Sequence, residues 1–375
     1  MSSPKLLSPL TIRDLTLKNR IVVSPMCQYS AIDGVVTDWH LVHLGRFALG
    51  GAALVFVEAT GVEARGRISP GDTGLWNDEQ ARALSRIADF LKANGARAGI
   101  QLAHAGRKGS TRRPWDGGGE LGEADAAKGE PAWETLAPSA LPFADNYPLP
   151  RAMSTADMGE VIVAFREATR RALDAGFDVV EIHAAHGYLL HEFLSPLSNH
   201  RTDDHGGDRA GRMKFPLEVV ETVRAVWPKT KPLFLRVSST DYVEGGLTID
   251  DTVAFAKAAA ALGVDVVDCS SGGNTTVPPK LRPGYQVPFA EAVRRDAGVA
   301  TMAVGLILDA QLAEEIVSSG KADLVALARP ALNDPNFALH ASATLTGTTD
   351  TSLAPTPAKS GLDRLAQSLR HMETG

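Results

Sequence analysis

A single (β/α)8 barrel is the fold that this 375-residue sequence predicts, and three observations predict it. Eight short apolar runs, rich in Val, Ile and Leu, are spread along the chain, and their near-continuous character suits parallel strands covered on both faces. Amphipathic helical patterns lie between them. Several of those patterns open on Thr or Asp and stop at Gly, so the chain is punctuated as strand, helix, stop. Eight such units make a closed barrel.

The runs are Ile21–Cys27, Ala53–Thr60, Ala98–Ala105, Asp178–His186, Leu233–Ser239, Asp265–Ser271, Ala300–Ile307 and Leu324–Arg329. Before the first, Leu10–Lys18 alternates and predicts a small hairpin lid. The helical patterns are Asp78–Asn94, Thr155–Ala175, Ala210–Trp227, Ile249–Leu262 and Asp309–Ser319. Thr155 with Glu160, Asp250 and Asp309 are start signals, and Gly95, Gly176, Gly263 and Gly320 are stops. Two stretches break the rhythm. Arg112–Pro150, after the third run, is rich in Gly, Pro and acidic residues, and a loop this long on the C-terminal face of a barrel is usually functional or disordered. Thr344–Ser360 is rich in Thr, Pro and Ala with little to bury. The expected organisation is one barrel domain over residues 1–345 and a flexible tail over 346–375.

Composition excludes several function classes. The formal charge is −6 and the pI about 5.9, so no basic field points to nucleic acid or an anionic membrane. No apolar run approaches the roughly 20 residues that a membrane span needs, and Met1–Arg20 lacks the apolar core of a signal peptide. Cys27 and Cys269 are the only cysteines and lie far apart. A disulfide framework is therefore not expected, and a reducing cytoplasm is the expected location.

In such a barrel the chemistry sits where the strands end. The fourth run, Phe177-Asp178-Val179-Val180-Glu181-Ile182, leads directly into His183-Ala184-Ala185-His186-Gly187-Tyr188. Two imidazoles and a phenol at one strand end suit an enzyme that polarises a substrate and delivers a proton. The other ends add Ser24-Pro25-Met26-Cys27 with Tyr29, then Glu58-Ala59-Thr60, Gln101 and His104-Ala105-Gly106-Arg107-Lys108, and Arg236. Ser270-Ser271-Gly272-Gly273, Gly305 and Ala328-Arg329 complete the set. Gly-rich ends of the last three strands are where barrels hold phosphate. A phosphate at one side and a ring at the centre point to a nucleotide-like cofactor, of which flavin mononucleotide (FMN) is the economical choice.

Plainer readings stand beside this one. A His-x-x-His pair is often solvated or core-satisfied, and sometimes binds metal. A metal-dependent barrel hydrolase built on His183 and His186 would need further ligands, and no acidic partner with clear spacing accompanies His104. Cys27 taken alone reads as a buried free cysteine, and Cys269 reads as core. Arg236 within a strand needs a charged or hydrogen-bonding partner. A non-catalytic binding protein would predict no flavin, and nothing in the sequence favours it.

The runs Lys18-Asn19-Arg20-Ile21, Ser24 to Tyr29, Gln101 to Lys108 and His183 to Pro196 together resemble the old yellow enzyme family. They most resemble its branch with a cysteine beside the flavin, which includes bacterial xenobiotic reductases and thermostable ene-reductases. The match runs in order from about Leu10 to Leu339, and the Trp115–Trp133 region resembles the longer insertion of the xenobiotic reductases. The resemblance implies an FMN-dependent barrel that takes hydride from NADPH and reduces activated C=C bonds of enones and nitroalkenes. It implies that Ser24, Pro25, Met26, Cys27 and Ala59 line the flavin and that Gln101 hydrogen-bonds its pyrimidine. Arg236 would sit near N1 and O2, and Ser270, Gly305, Ala328 and Arg329 would hold ribityl and phosphate. Among the catalytic set, His183 and His186 would bind the substrate oxygen and Tyr188 would protonate Cα. Cys27 would tune the flavin and Tyr29 would shape the pocket. Relatives with an iron–sulfur cluster need several clustered cysteines, so the resemblance does not extend to them. It also implies a homo-oligomer, dimer or tetramer. The tail Asp363 to Met372 lacks the aromatic and arginine cluster of the branch; Arg364 or Arg370 is the candidate substitute.

Overall fold

The computed structural model describes residues 4–374 of the chain. Its centre is a closed barrel of eight parallel strands paired in chain order: β1 (Ile21–Val23), β2 (Leu54–Gly61), β3 (Arg97–Ala103), β4 (Val179–Ala184), β5 (Leu233–Ser238), β6 (Val266–Ser270), β7 (Ala300–Ala303) and β8 (Leu324–Leu327), with β8 returning to β1. Six predicted runs contain their strands, while β2 extends one residue past its run to Gly61 and β3 begins one residue before its run at Arg97.

Alternation divides every strand between two cores. On β4, Val180, Ile182 and Ala184 face the helices, while Val179 joins an inner cluster with Val22, Leu54, Phe56, Phe234, Val266, Met302 and Leu324. These inner residues lie toward the N-terminal ends of their strands. The hairpin Leu10–Ile12 and Leu15–Leu17, paired Leu10 with Leu17, packs on the same cluster. The expected hairpin therefore closes the N-terminal mouth, opposite the strand ends that carry the candidate residues.

The outer ring contains α1 (Asp38–Leu49), α2 (Asp78–Ala93), α3 (Thr155–Asp174), α4 (Arg209–Val226), α5 (Ile249–Ala261), α6 (Val287–Ala297), α7 (Ala310–Ser318) and α8 (Phe337–Thr346). Asn77, Ser154, Asp208, Thr248 and Asp309 each cap a first turn by accepting a backbone N–H, which satisfies donors the helix leaves open. Gly95, Gly176, Gly263 and Gly320 follow their helices with φ between +77° and +100°. The sequence reading expects a helical segment after every strand but gives no range for α1, α6 or α8. In α1, Trp39 and Val42 are exposed opposite buried Leu44 and Phe47, so apolar residues on both faces blur the helical period.

Two further stretches carry structure of their own. The insertion after β3 is ordered: it holds a short helix, Glu123–Ala126, and ion pairs Arg112–Asp125 and Arg113–Glu130, both at 2.7 Å. Residues 346–375, expected as a flexible tail, carry a 3-10 turn at Thr351–Leu353 and a helix α9 over Thr356–Thr374. Leu353 is buried against the Gly51 and Ala338 region, and Thr351 Oγ1 donates to Asp363 at 2.5 Å. One anchoring leucine in a Thr/Pro/Ala-rich stretch is too little apolar signal to read from sequence. Arg364 stands exposed on α9, while the side chain of Arg370 and residues 1–3 and 375 lie outside the described residues.

Candidate active site

β4 delivers the central group. His183 is its last inward residue, and the loop Ala185–Tyr188 then turns through two left-handed residues, His186 at φ +61° and Gly187 at φ +73°. A Cβ on Gly187 would stand 2.2 Å from the Gly273 carbonyl, so only glycine lets this loop pass the end of β6. The turn folds the His186 ring back onto His183, centroids 5.2 Å apart at 89°, and places the Tyr188 ring 5.0 Å from His183 at 82°. A positive φ at a non-glycine residue is a strained conformation of the kind that collects at functional sites.

The hydrogen bonds assign the ring protons. His183 Nδ1 accepts from the Ala185 N–H at 3.2 Å, which leaves the proton on Nε2. His186 Nε2 lies 2.7 Å from Ser270 Oγ, closer than the 3.3 Å from that hydroxyl to Gln286 Oε1. If Ser270 donates to Nε2 rather than to Gln286, the His186 proton sits on Nδ1. Burial and the nearby Arg236 charge hold both imidazoles well below the usual histidine range, so each is a neutral ring with one N–H to offer.

The other hydrogen donors are neutral as well. Burial, with Cys27 nearby, keeps the Tyr188 phenol well above its ordinary range. Burial and the carboxylates of Asp72 and Glu58 do the same for the Cys27 thiol, and Cys27 raises Tyr29. Tyr29 itself has φ +49° and packs edge-on to Trp115 at 5.8 Å. Lys108 Nζ donates to the carbonyls of His186 (2.9 Å) and Gly273 (3.0 Å) and stands 5.2 Å from the Tyr188 ring centre. Burial pulls its pKa down to about 8.

Below these groups β3 to β6 each turn one polar side chain inward: Gln101, Glu181, Arg236 and Asp268, all buried. Gln101 Nε2 donates to Glu181 Oε1 at 2.8 Å, and Arg236 Nε pairs with Asp268 Oδ2 at 3.1 Å. At the rim, Ser24, Pro25, Met26 and Cys27 follow β1, and Ala59 sits just past a register shift in β2. Gly305 lies beside Gln286, whose amide reaches Ser270, Ser271 and Val304. Ala328 stands at the N-cap of a short helix, and Arg329, exposed and in no ion pair among the described residues, borders a cavity of about 570 Å³ with Leu306, Pro330 and His340. Ser270, expected against ribityl or phosphate, is placed against His186.

These residues fit FMN. Ser24 Oγ, Glu181 Oε2 and both Asp268 oxygens are buried with no hydrogen-bond partner, a costly condition for a closed core. An amide and a guanidinium face the barrel top for a ring, and a free arginine beside a helix start suits a phosphate.

The sequence reading missed Lys108, Glu181, Asp268 and Ser238, whose hydroxyl accepts the His186 N–H at 2.9 Å. A signal existed for two of them. Glu181 and Asp268 share the inward parity of Val179 and Val266, so each interrupts an otherwise apolar inner face.

Comparison with known proteins settles the class. The NADH:flavin oxidoreductase / NADH oxidase family model matches residues 5–347. The chain belongs to this family. The flavin oxidoreductase is 49% identical to the NADPH dehydrogenase of Geobacillus sp. (strain WCH70) over 348 residues, 92% of this chain and 95% of that one. Among solved structures it is similar to morphinone reductase, with TM-score 0.77 and 26% identity over 92% of this chain and 91% of that chain. It is also similar to the old yellow enzyme homologue from Zymomonas mobilis, with TM-score 0.75 and 25% identity over 95% and 98%. The enzyme is thus an oxidoreductase of the old yellow enzyme type, with FMN as cofactor and a reduced nicotinamide as hydride donor. The metal-hydrolase alternative is not supported: among the described residues no three His, Cys, Asp or Glu side chains are grouped to hold a metal. None of the described helices is long and apolar enough to cross a membrane.

Proposed function

We propose that this flavin oxidoreductase is an NADPH-dependent ene-reductase that reduces C=C bonds activated by a carbonyl or nitro group. The observation that carries the reading is the convergence of His183, His186 and Tyr188, three neutral hydrogen donors with rings about 5 Å apart. The NADPH dehydrogenase relatives support NADPH as donor. When bound, FMN would supply the hydride chemistry, accepting hydride from NADPH and passing it to the alkene Cβ.

The chain supplies the rest. Nε2–H of His183 and Nδ1–H of His186 bind the substrate oxygen and stabilise the negative charge that grows there as hydride arrives. Neutral rings suit this task, because an imidazolium would give its proton away to the oxygen. Tyr188 O–H then transfers its proton to Cα, and solvent restores it. Lys108 holds the His186 and Gly273 carbonyls and so braces the loop. Cys27, kept a thiol, borders the flavin edge and tunes it, and Tyr29 shapes the pocket. Ser24, Pro25, Met26 and Ala59 line the ring, Gln101 and Arg236 address its pyrimidine, Gly305, Ala328 and Arg329 serve the ribityl-phosphate end, and Ser270 meets His186.

Exposed Leu365, Leu369 and Met372 on α9 support a homo-oligomer, dimer or tetramer, which light scattering tests. The free thiols Cys27 and Cys269 suit a cytoplasmic setting. For the activity, the purified protein is expected to show a flavin spectrum that bleaches with NADPH under anaerobic conditions and recovers on adding 2-cyclohexenone. A bleached spectrum that the enone leaves unchanged overturns the ene-reductase reading.

A further inference from the structure

The polar floor of the barrel contains one guanidinium and two carboxylates, Arg236, Glu181 and Asp268, and the two carboxylates are not equivalent. Both acids are fully buried. Asp268 pairs with Arg236 Nε at 3.1 Å. Among the described residues Glu181 has no ion-pair partner; its Oε1 accepts from the amide of Gln101 at 2.8 Å and its Oε2 has no hydrogen-bond partner. Two buried anions with one cation leave one charge uncompensated, which is costly inside a protein.

We infer that Glu181 and Asp268 are positioning residues for the flavin site, and that only Asp268 carries a charge. Glu181 works as a neutral carboxylic acid. It takes the Gln101 NH2 from below, which turns the Gln101 carbonyl oxygen away from it as an acceptor for the N–H of the pyrimidine. Asp268 works as a carboxylate. It stands as the counter-ion 3.1 Å from Nε of Arg236, which leaves the outer guanidinium nitrogens for the pyrimidine edge, and it offsets part of the arginine charge. The same two acids therefore divide the work: one sets a hydrogen-bond direction, the other sets a potential.

The surroundings agree. The titratable or charged groups that act on Glu181 are Asp268 on β6 and Arg236 on β5, with Gln101 on β3 as its hydrogen-bond partner. Burial, then Asp268, pushes Glu181 well above the carboxylate range; burial raises Asp268 too, but Arg236 beside it pulls it part of the way back. His183, the next inward residue of β4, is itself neutral and adds no cation.

This inference rests on the placement of Gln101 and Arg236 against the flavin, so a control separates the two. If Arg236→Leu and Gln101→Leu leave FMN affinity unchanged, the placement fails, whatever the acids do. With the placement intact, Asp268→Asn unmasks the arginine charge beside N1. It is expected to raise the flavin midpoint potential, strengthening binding of reduced over oxidised FMN by about tenfold. Glu181→Gln exchanges one neutral acceptor for another and is expected to leave the potential in place, whereas Glu181→Leu removes the acceptor and weakens FMN binding by roughly tenfold. A potential that moves as far in Glu181→Gln as in Asp268→Asn overturns the inference, and so does no movement in Asp268→Asn. Should Asp268→Asn fail to fold, infrared spectroscopy decides on the remaining variants. The carbonyl band of a protonated carboxyl group must be present in the wild type and diminished in Glu181→Gln; an unchanged band overturns the neutral glutamic acid.

Discussion

The two halves of the barrel interior are built from the same strands and share one alternation, yet they hold opposite chemistry. Toward the N-terminal ends stand Val22, Leu54, Phe56, Val179, Phe234, Val266, Met302 and Leu324, sealed below by the hairpin. Two residues further along, the same inward face carries Glu181, Arg236 and Asp268, and one step beyond come His183, Ser238 and Ser270. The difference teaches where stability and function are located. The lower half is a dry, close-packed plug that can hold the strands in register whatever lies above. The upper half carries buried groups with unmet hydrogen bonds, which a plug of that kind is needed to support. Variants in the two halves should therefore fail in different ways.

The largest expected effect is in the upper half. Tyr188→Phe removes the proton donor and keeps the ring. The alkene half-reaction is expected to slow by about 10²–10⁴-fold, while reduction by NADPH and thermal stability stay near wild type. Stopped-flow measurement of the two half-reactions checks this. An undiminished alkene step places the proton donor elsewhere.

Phe234→Ala is the matching cut in the lower half. Phe234 is fully buried and touches Phe56 at 5.9 Å between centroids. Its loss is expected to cost about 3–5 kcal/mol of stability, read by denaturant titration. The protein that remains folded should keep the flavin spectrum and both half-reactions. A large kinetic defect in folded Phe234→Ala would show that the halves are coupled more tightly than their chemistry suggests.

The halves also differ in how far the sequence reveals them. Apolar runs with Val, Ile and Leu mark the strands directly, so all eight were legible. The His183, His186 and Tyr188 grouping was legible because three such groups at one strand end have few other uses. Their geometry was not. The left-handed turn at His186 depends on Gly187 passing Gly273, a contact between loops 86 residues apart in number that no local pattern encodes. Lys108, in a motif already noted, owes its place to two backbone carbonyls. Glu181 and Asp268 acquire their meaning only when β3 to β6 close side by side. The α9 helix stayed hidden because the turn before it buries one leucine, Leu353, too little apolar signal in a Thr/Pro/Ala-rich stretch.

A third test uses acid. Burial holds His183 and His186 well below the usual histidine range, and burial with Arg46 nearby takes His43, on α1 outside the barrel, down to about 4. The unfolded chain binds protons at these sites near pH 6.5 and the folded chain does not, so stability falls as pH drops below about 6.5. Each such histidine contributes a slope of up to about 1.4 kcal/mol per pH unit. His43→Gln should reduce the slope by one histidine's share between about pH 6.5 and 4 without touching the flavin site. An unchanged slope would mean that His43 is charged in the folded protein.

The smallest expected effect separates two atoms within the upper half. Ser270→Ala removes the hydroxyl that lies 2.7 Å from His186 Nε2. If that hydroxyl donates to Nε2, its loss frees the ring proton to occupy either nitrogen, and the oxygen-binding tautomer becomes one of two. Affinity for a carbonyl ligand is then expected to fall by about 1 kcal/mol, roughly fivefold. His183 keeps its tautomer, because the Ala185 N–H still points at Nδ1. Nitrogen-15 NMR of the imidazoles distinguishes the cases: in the wild type His183 should be protonated at Nε2 and His186 at Nδ1, and only the second assignment should blur in Ser270→Ala. Two histidines three residues apart would then carry opposite tautomers, each set by one neighbour, and that opposition is what allows both N–H groups to meet a single oxygen from rings at right angles.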